Sequence, residues 1–152
     1  MGASSWEYYV PFEPDLDSAL RGLKERVLAD GRYYWPLDGQ SCPFPDMRSP
    51  RPGTLAELDA LLAGNEWLQS EGTHSMLDMD RVIAPDEDAE PRTVEPVSAE
   101  DLEELTGRDL LTRENVDMIK NLANERWYGR CIVLHDDEGD PCEIYFWGFS
   151  GD

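Results

Sequence analysis

Arg130-Cys131-Ile132-Val133-Leu134-His135 and Cys142-Glu143-Ile144-Tyr145-Phe146-Trp147-Gly148-Phe149 are the two most strand-like stretches of the chain, and Asp136-Asp137-Glu138-Gly139-Asp140-Pro141 joins them. The joining residues are turn formers: Asp bonds nearby backbone, Gly reaches positive φ and Pro fixes φ. The flanking runs therefore read as a hairpin. Both are apolar on both faces, which places the hairpin in the centre of a sheet. If the turn is centred between Glu138 and Gly139, His135 faces Cys142 with Cys131 on the same face. A Cys–His contact suits a thiolate nucleophile or a zinc site, but a slip of one residue removes it, and free cysteines commonly serve as small core residues.

The rest of the sheet is read outward from this hairpin. Trp6-Glu7-Tyr8-Tyr9-Val10 reads as an aromatic strand ended by Pro11, and Tyr33-Tyr34-Trp35 as a second short strand. From Thr73 to Ile83, Leu77 and Met79 alternate with Asp78 and Asp80, the pattern of a strand with one wet face. On such a strand His74, Met76, Asp78 and Asp80 share a face. That row suits a small hydrolase or metal-dependent enzyme using His74 with Asp78 and Asp80, against the plainer reading of a strand-end histidine with two solvated aspartates.

Helices fill the intervals. Asp15 is a plausible N-cap for a helix whose Leu16, Leu20, Leu23 and Val27 fall at offsets 4, 7 and 11, with Gly31 as its stop. Arg21, Lys24, Glu25 and Arg26 are assigned to its solvated face. Thr54-Leu55-Ala56-Glu57 and Ser98-Ala99-Glu100-Asp101 read as capping boxes of short helices ending at Gly64 and Gly107. Thr112 reads as the cap of a longer helix carrying Val116, Ile119, Ala123 and Trp127. Between Pro36 and Gly53 five prolines exclude a long helix or central strand, leaving an ordered loop pinned by Phe44 and the proline rings. The expected fold is α+β in a single domain spanning 1–152: a mainly antiparallel sheet with a C-terminal hairpin, covered on one side by three or four helices, with an acidic, proline-rich loop at about 84–97.

Charge bounds the function. Thirty-three acidic residues against 13 basic give a net charge of −20. Direct nucleic-acid binding is disfavoured, because a phosphate-binding face needs clustered Lys and Arg. No run approaches the ~20 apolar residues of a membrane span. Met1–Val10 lacks the basic start and apolar stretch of a secretory leader, and three cysteines make no disulfide framework, so a cytoplasmic setting is expected. No sequence signature calls for a cofactor, and Asp136–Asp140 lacks the ligand spacing of a calcium loop.

The acid is concentrated. Asp86, Glu87, Asp88, Glu90, Glu95, Glu100, Asp101, Glu103 and Glu104 stand within nineteen positions against one base, Arg92. Such a stripe steers a basic protein and penalises wrong partners; as a solvated segment it would serve only solubility. Numerous Trp and Tyr residues could supply anchors for the same face, or fill a core poor in Ile and Val. The leading expectation is an immunity- or inhibitor-type protein that masks a basic partner such as a toxin or nuclease. A DNA-mimic regulator is a further alternative.

Overall fold

A computed structural model describes residues 4–151. The first three positions, part of the leader reading, and Asp152 lie outside it. Strand β1 is Ser5–Pro11, and the hairpin is β4, Tyr128–His135, and β5, Pro141–Phe149. β5 pairs antiparallel with β1 on one side and β4 on the other. Two short strands, β2 (Arg81–Val82) and β3 (Thr93–Pro96), complete the sheet in the order β1-β5-β4-β3-β2. Both added pairings are parallel, but most paired positions are antiparallel. The α+β class with a mainly antiparallel sheet and a C-terminal hairpin is as the sequence predicts.

Alternation along the central strands serves two cores. Trp6, Val10, Val94, Cys131, Ile144 and Phe146 face helix α1 (Leu16–Asp30), α2 (Leu55–Gly64) and α3 (Glu66–Glu71). Ile132, Leu134, Tyr145 and Trp147 face the other way, against α4 (Ala99–Thr106) and short 3₁₀ helices at Arg113–Met118 and Lys120–Leu122. Three helices thus cover one face as expected. The second face is covered as well, which is what a hairpin apolar on both faces requires. Trp6 lies across the opposed pair Gly129 and Gly148, where any side chain would meet its indole.

The helix ends follow from the caps. The Asp15 carboxylate accepts from the N–H groups of Asp17 and Ser18, and Gly31 closes α1 at φ 73°. Thr54 and Ser98 hydroxyls accept from Glu57 and Asp101 N–H. The reciprocal arm of the first box goes one residue further out, where Gly53 N–H donates to the Glu57 carboxylate.

Four expectations need correction. Tyr33–Trp35 forms no strand; Tyr34 N–H donates to Thr73 O while Trp35 is buried. Residues 73–80 are not a strand but a capped turn, with a 3₁₀ helix at Met76–Asp78 in which the Ser75 hydroxyl accepts from Leu77 N–H. The helix expected after Thr112 breaks into two 3₁₀ pieces, because the Thr112 hydroxyl bonds Asn115 Oδ1 instead of capping backbone, and Trp127 turns away at φ 72°. The acidic loop ends at Arg92, since Thr93–Pro96 is strand β3. The 36–53 loop is ordered as expected: Phe44, though 46% exposed, packs edge-on against Trp67 with centroids 5.5 Å apart, and the Trp35 and Trp67 indoles add bonds to Ser49 O and Pro36 O.

Candidate functional site

The row His74–Asp78–Asp80 does not form. His74 sits at φ 52°, half-buried, its ring stacked on Tyr34 with centroids 4.2 Å apart. Asp78 is buried, and its Oδ1 accepts from Thr73 N–H (2.7 Å) and the Thr73 hydroxyl (2.8 Å). Burial pushes the Asp78 carboxyl above the ordinary carboxylate range, against the Thr73 bonds. The exposed Asp80 pairs with Arg92 at 3.3 Å. A turn, not a pleat, carries these residues, so they point to three different surroundings.

The hairpin cysteines and histidine also stay apart. His135 pairs with Pro141 and Leu134 with Glu143, leaving Cys142 in the irregularity between them. Cys131 pairs with Phe146 in the first core, where burial pushes its thiol up to about 12. Desolvation and the carboxylates of Glu143 and Asp136 hold the Cys142 thiol above its usual value. Neither is an activated thiolate at neutral pH. Among the described residues, one His/Cys/Asp/Glu triplet converges closely enough to share an ion: Asp136, Glu138 and Asp140, within 4.8 Å of one another. Asp136 Oδ1 is already engaged there, accepting from the N–H groups of Glu138 and Asp140 to fix the turn.

The acidic segment divides into anchored and unengaged groups. Glu87 accepts from Ala84 N–H and pairs with Arg81 at 2.8 Å. Glu95 pairs with Arg130 at 3.1 Å, and Asp101 lies 3.9 Å from the same guanidinium. These three carboxylates tie β3, α4 and the loop to the sheet. Asp86, Asp88, Glu90, Glu100, Glu103 and Glu104 are exposed and make no side-chain hydrogen bond or ion pair among the described residues. The chain after α4 runs beside the hairpin, where Leu111 bridges Leu134 and its carbonyl accepts from His135 N–H. Leu110 consequently lies against Gly139 of the acidic turn. The segment that follows the acidic α4 thus reaches the acidic turn at 136–140 through Leu110, and Leu105 and Leu110 are exposed. The aromatics divide: Tyr8, Tyr9, Tyr34, Trp67, Trp127 and Tyr128 are half-buried, and Phe44 is exposed. Trp6, Trp35, Tyr145 and Trp147 are buried, and the exposed apolar side chains are Phe44, Met47, Leu105, Leu110 and Met118.

One group assigned to solvent proves to be buried. Lys24 is 6% exposed and lines a cleft of about 580 Å³ between α1 and α2, whose far wall includes Asp80 and Arg92. The sequence signal was its position four residues from both Leu20 and Leu28, on the core stripe itself. No helix among the described residues is long and apolar enough to cross a membrane. No family model, curated protein or solved structure matches the chain.

Proposed function

We propose that this protein is an acidic binding partner of the immunity or inhibitor type, acting in the cytoplasm by masking a basic protein such as a toxin or nuclease. The observation that carries the reading is the set of six exposed, unengaged carboxylates (Asp86, Asp88, Glu90, Glu100, Glu103 and Glu104) held on a segment whose remaining acids are tied to Arg81 and Arg130. Charge that is ordered before the encounter steers association and costs little to organise on binding. The acidic turn at Asp136–Asp140 adds to the field, and Leu105 and Leu110 offer apolar surface that a partner can desolvate. Occlusion is the mechanism: carboxylates engage Lys and Arg around the partner's working surface and block it. A net charge of −20 supports a protein partner and argues against direct contact with nucleic acid.

The test compares the wild type with a variant in which those six carboxylates are replaced by Asn or Gln. Both are used as bait in a source-cell lysate at low and high salt, and retained proteins are identified by mass spectrometry. The expected result is one basic protein held by the wild type, weakened by salt and lost from the variant, with an association rate that falls at least tenfold on neutralisation. Equal retention by both baits overturns the reading. A partner displaced competitively by duplex DNA identifies the DNA-mimic form of the same mechanism.

A further inference from the structure

The cleft over α1 has a construction of its own. Asp17, Arg21 and Lys24 project from successive turns of α1, at offsets 4 and 7, into the gap facing α2. Asp17 is spent on structure, its carboxylate accepting from Val82 N–H at 2.8 Å. Across the gap Asp80 holds the Arg92 guanidinium at 3.3 Å and the Trp127 ring lies beneath it, while Arg92 Nη1 is buried without a hydrogen-bond partner. These pairs fix the walls and leave Lys24 and Arg21 as the least engaged cations. Lys24 has no hydrogen bond or ion pair among the described residues, and Arg21 has only the exposed Glu25 at 3.9 Å.

A lysine whose side chain is almost wholly covered, with its ammonium reaching only the cleft, is unusual. Lysine is almost never fully buried unless paired. Burial lowers its proton affinity, with Asp59 and Asp80 acting in the opposite sense from longer range. A structural lysine in this position would be expected to close on one of those carboxylates. Instead its charge faces the open volume, beside the apolar wall of Leu55, Leu62 and Ala63.

We propose that this cleft binds a small organic monocarboxylate, its carboxylate held by Lys24 and Arg21 and its apolar body laid against Leu55 and Leu62. Two cations at helical spacing on one face match the two oxygens of a carboxylate. The wall opposite supplies apolar area for a body of a few carbons. Asp59 and Asp80 on the rim oppose a second negative charge, which selects against dianions such as phosphate. The site is independent of the acidic segment and of the partner proposed above.

The chain has two lysines, Lys24 and Lys120, so lysine labelled with ¹³C at Cε reports the site and a control together. Lys120 is exposed to solvent and paired with Asp117 and Glu7. The labelled full-length protein is titrated at constant ionic strength with benzoate, benzyl alcohol and inorganic phosphate. The expected result is a saturable shift of the Lys24 resonance with benzoate alone, Lys120 staying fixed. Arg21 lines the cleft with its side chain 67% exposed, so Arg21→Gln tests its role without disturbing the core; benzoate affinity should fall about tenfold. Lys24→Met should abolish binding as measured by calorimetry. An unmoved Lys24 signal, or equal linear drift of both lysines, overturns the site. Saturable binding of phosphate at least as tight as benzoate overturns the ligand class.

Discussion

Asp78 has the most unusual surroundings of any carboxylate among the described residues. One oxygen accepts two bonds from Thr73; the other is buried and makes no close hydrogen bond, with the Gly151 N–H acting on the carboxylate more weakly. Gly72 is required beside it, because at φ 68° and ψ −175° a Cβ would sit 2.6 Å from that second oxygen. Since burial raises its carboxyl above the unfolded value, the native state takes up this proton at higher pH than the unfolded chain does. Between the two midpoints the native state binds more protons, so stability falls as pH rises through that window. Asp78→Asn keeps an acceptor for Thr73 and cannot titrate. Urea unfolding across a series from roughly pH 4, near the ordinary aspartate value, to neutrality should show the wild type losing stability relative to the variant as pH rises. Parallel curves would refute this origin. Asp78→Ala should cost about 1–3 kcal/mol at every pH, because it strands the Thr73 N–H and hydroxyl.

Glycines separate the demands of the two element types. Gly22 lies within α1 with nothing within 4 Å of its would-be Cβ, so Gly22→Ala should stabilise by about 0.5–1 kcal/mol through helix propensity alone. Gly148 lies in β5, where a Cβ would stand 2.6 Å from Trp6 and 2.6 Å from the Tyr128 carbonyl. One of these obstacles is backbone, so Gly148→Ala should destabilise by about 1–3 kcal/mol or more. Urea midpoints of the two variants should therefore move in opposite directions. The same contrast explains what the sequence made legible. α1 and the hairpin were readable because local caps and turn residues agree with the apolar period. At 73–83 the Leu77 and Met79 alternation was real, but Asp78 between them is buried too, so the pattern did not report a wet face. Beyond Thr112 the burial of Val116, Ile119 and Ala123 was legible while the helix itself was not, because a period fixes which side chains go inward and a side-chain bond at Thr112 decides how the backbone starts. β3 was hidden by Pro91 and Pro96, which read as loop although a proline is tolerated at a strand's end. Lys24 was missed because residue type outweighed position.

Across the whole molecule, charge and stability pull against each other. A net charge of −20 repels itself in the folded state, and the repulsion is screened as ions are added. Glu87, Glu95 and Asp101 offset part of it through Arg81 and Arg130, but the six unengaged carboxylates of the segment have no such offset. Neutralising those six takes the charge from −20 to −14. The urea midpoint of the variant should then exceed that of the wild type at low salt. The two should converge as salt rises, because screening already relieves the wild type of the same repulsion. If the six carboxylates served stability through contacts within the fold, the variant would be weaker at all salt concentrations. A gain in stability together with a loss of partner association is the signature of charge retained for binding at a cost to folding. A gain with association unchanged would assign the segment to solubility alone. The two measurements on one variant therefore separate what the acidic segment does for the molecule from what it does for a partner.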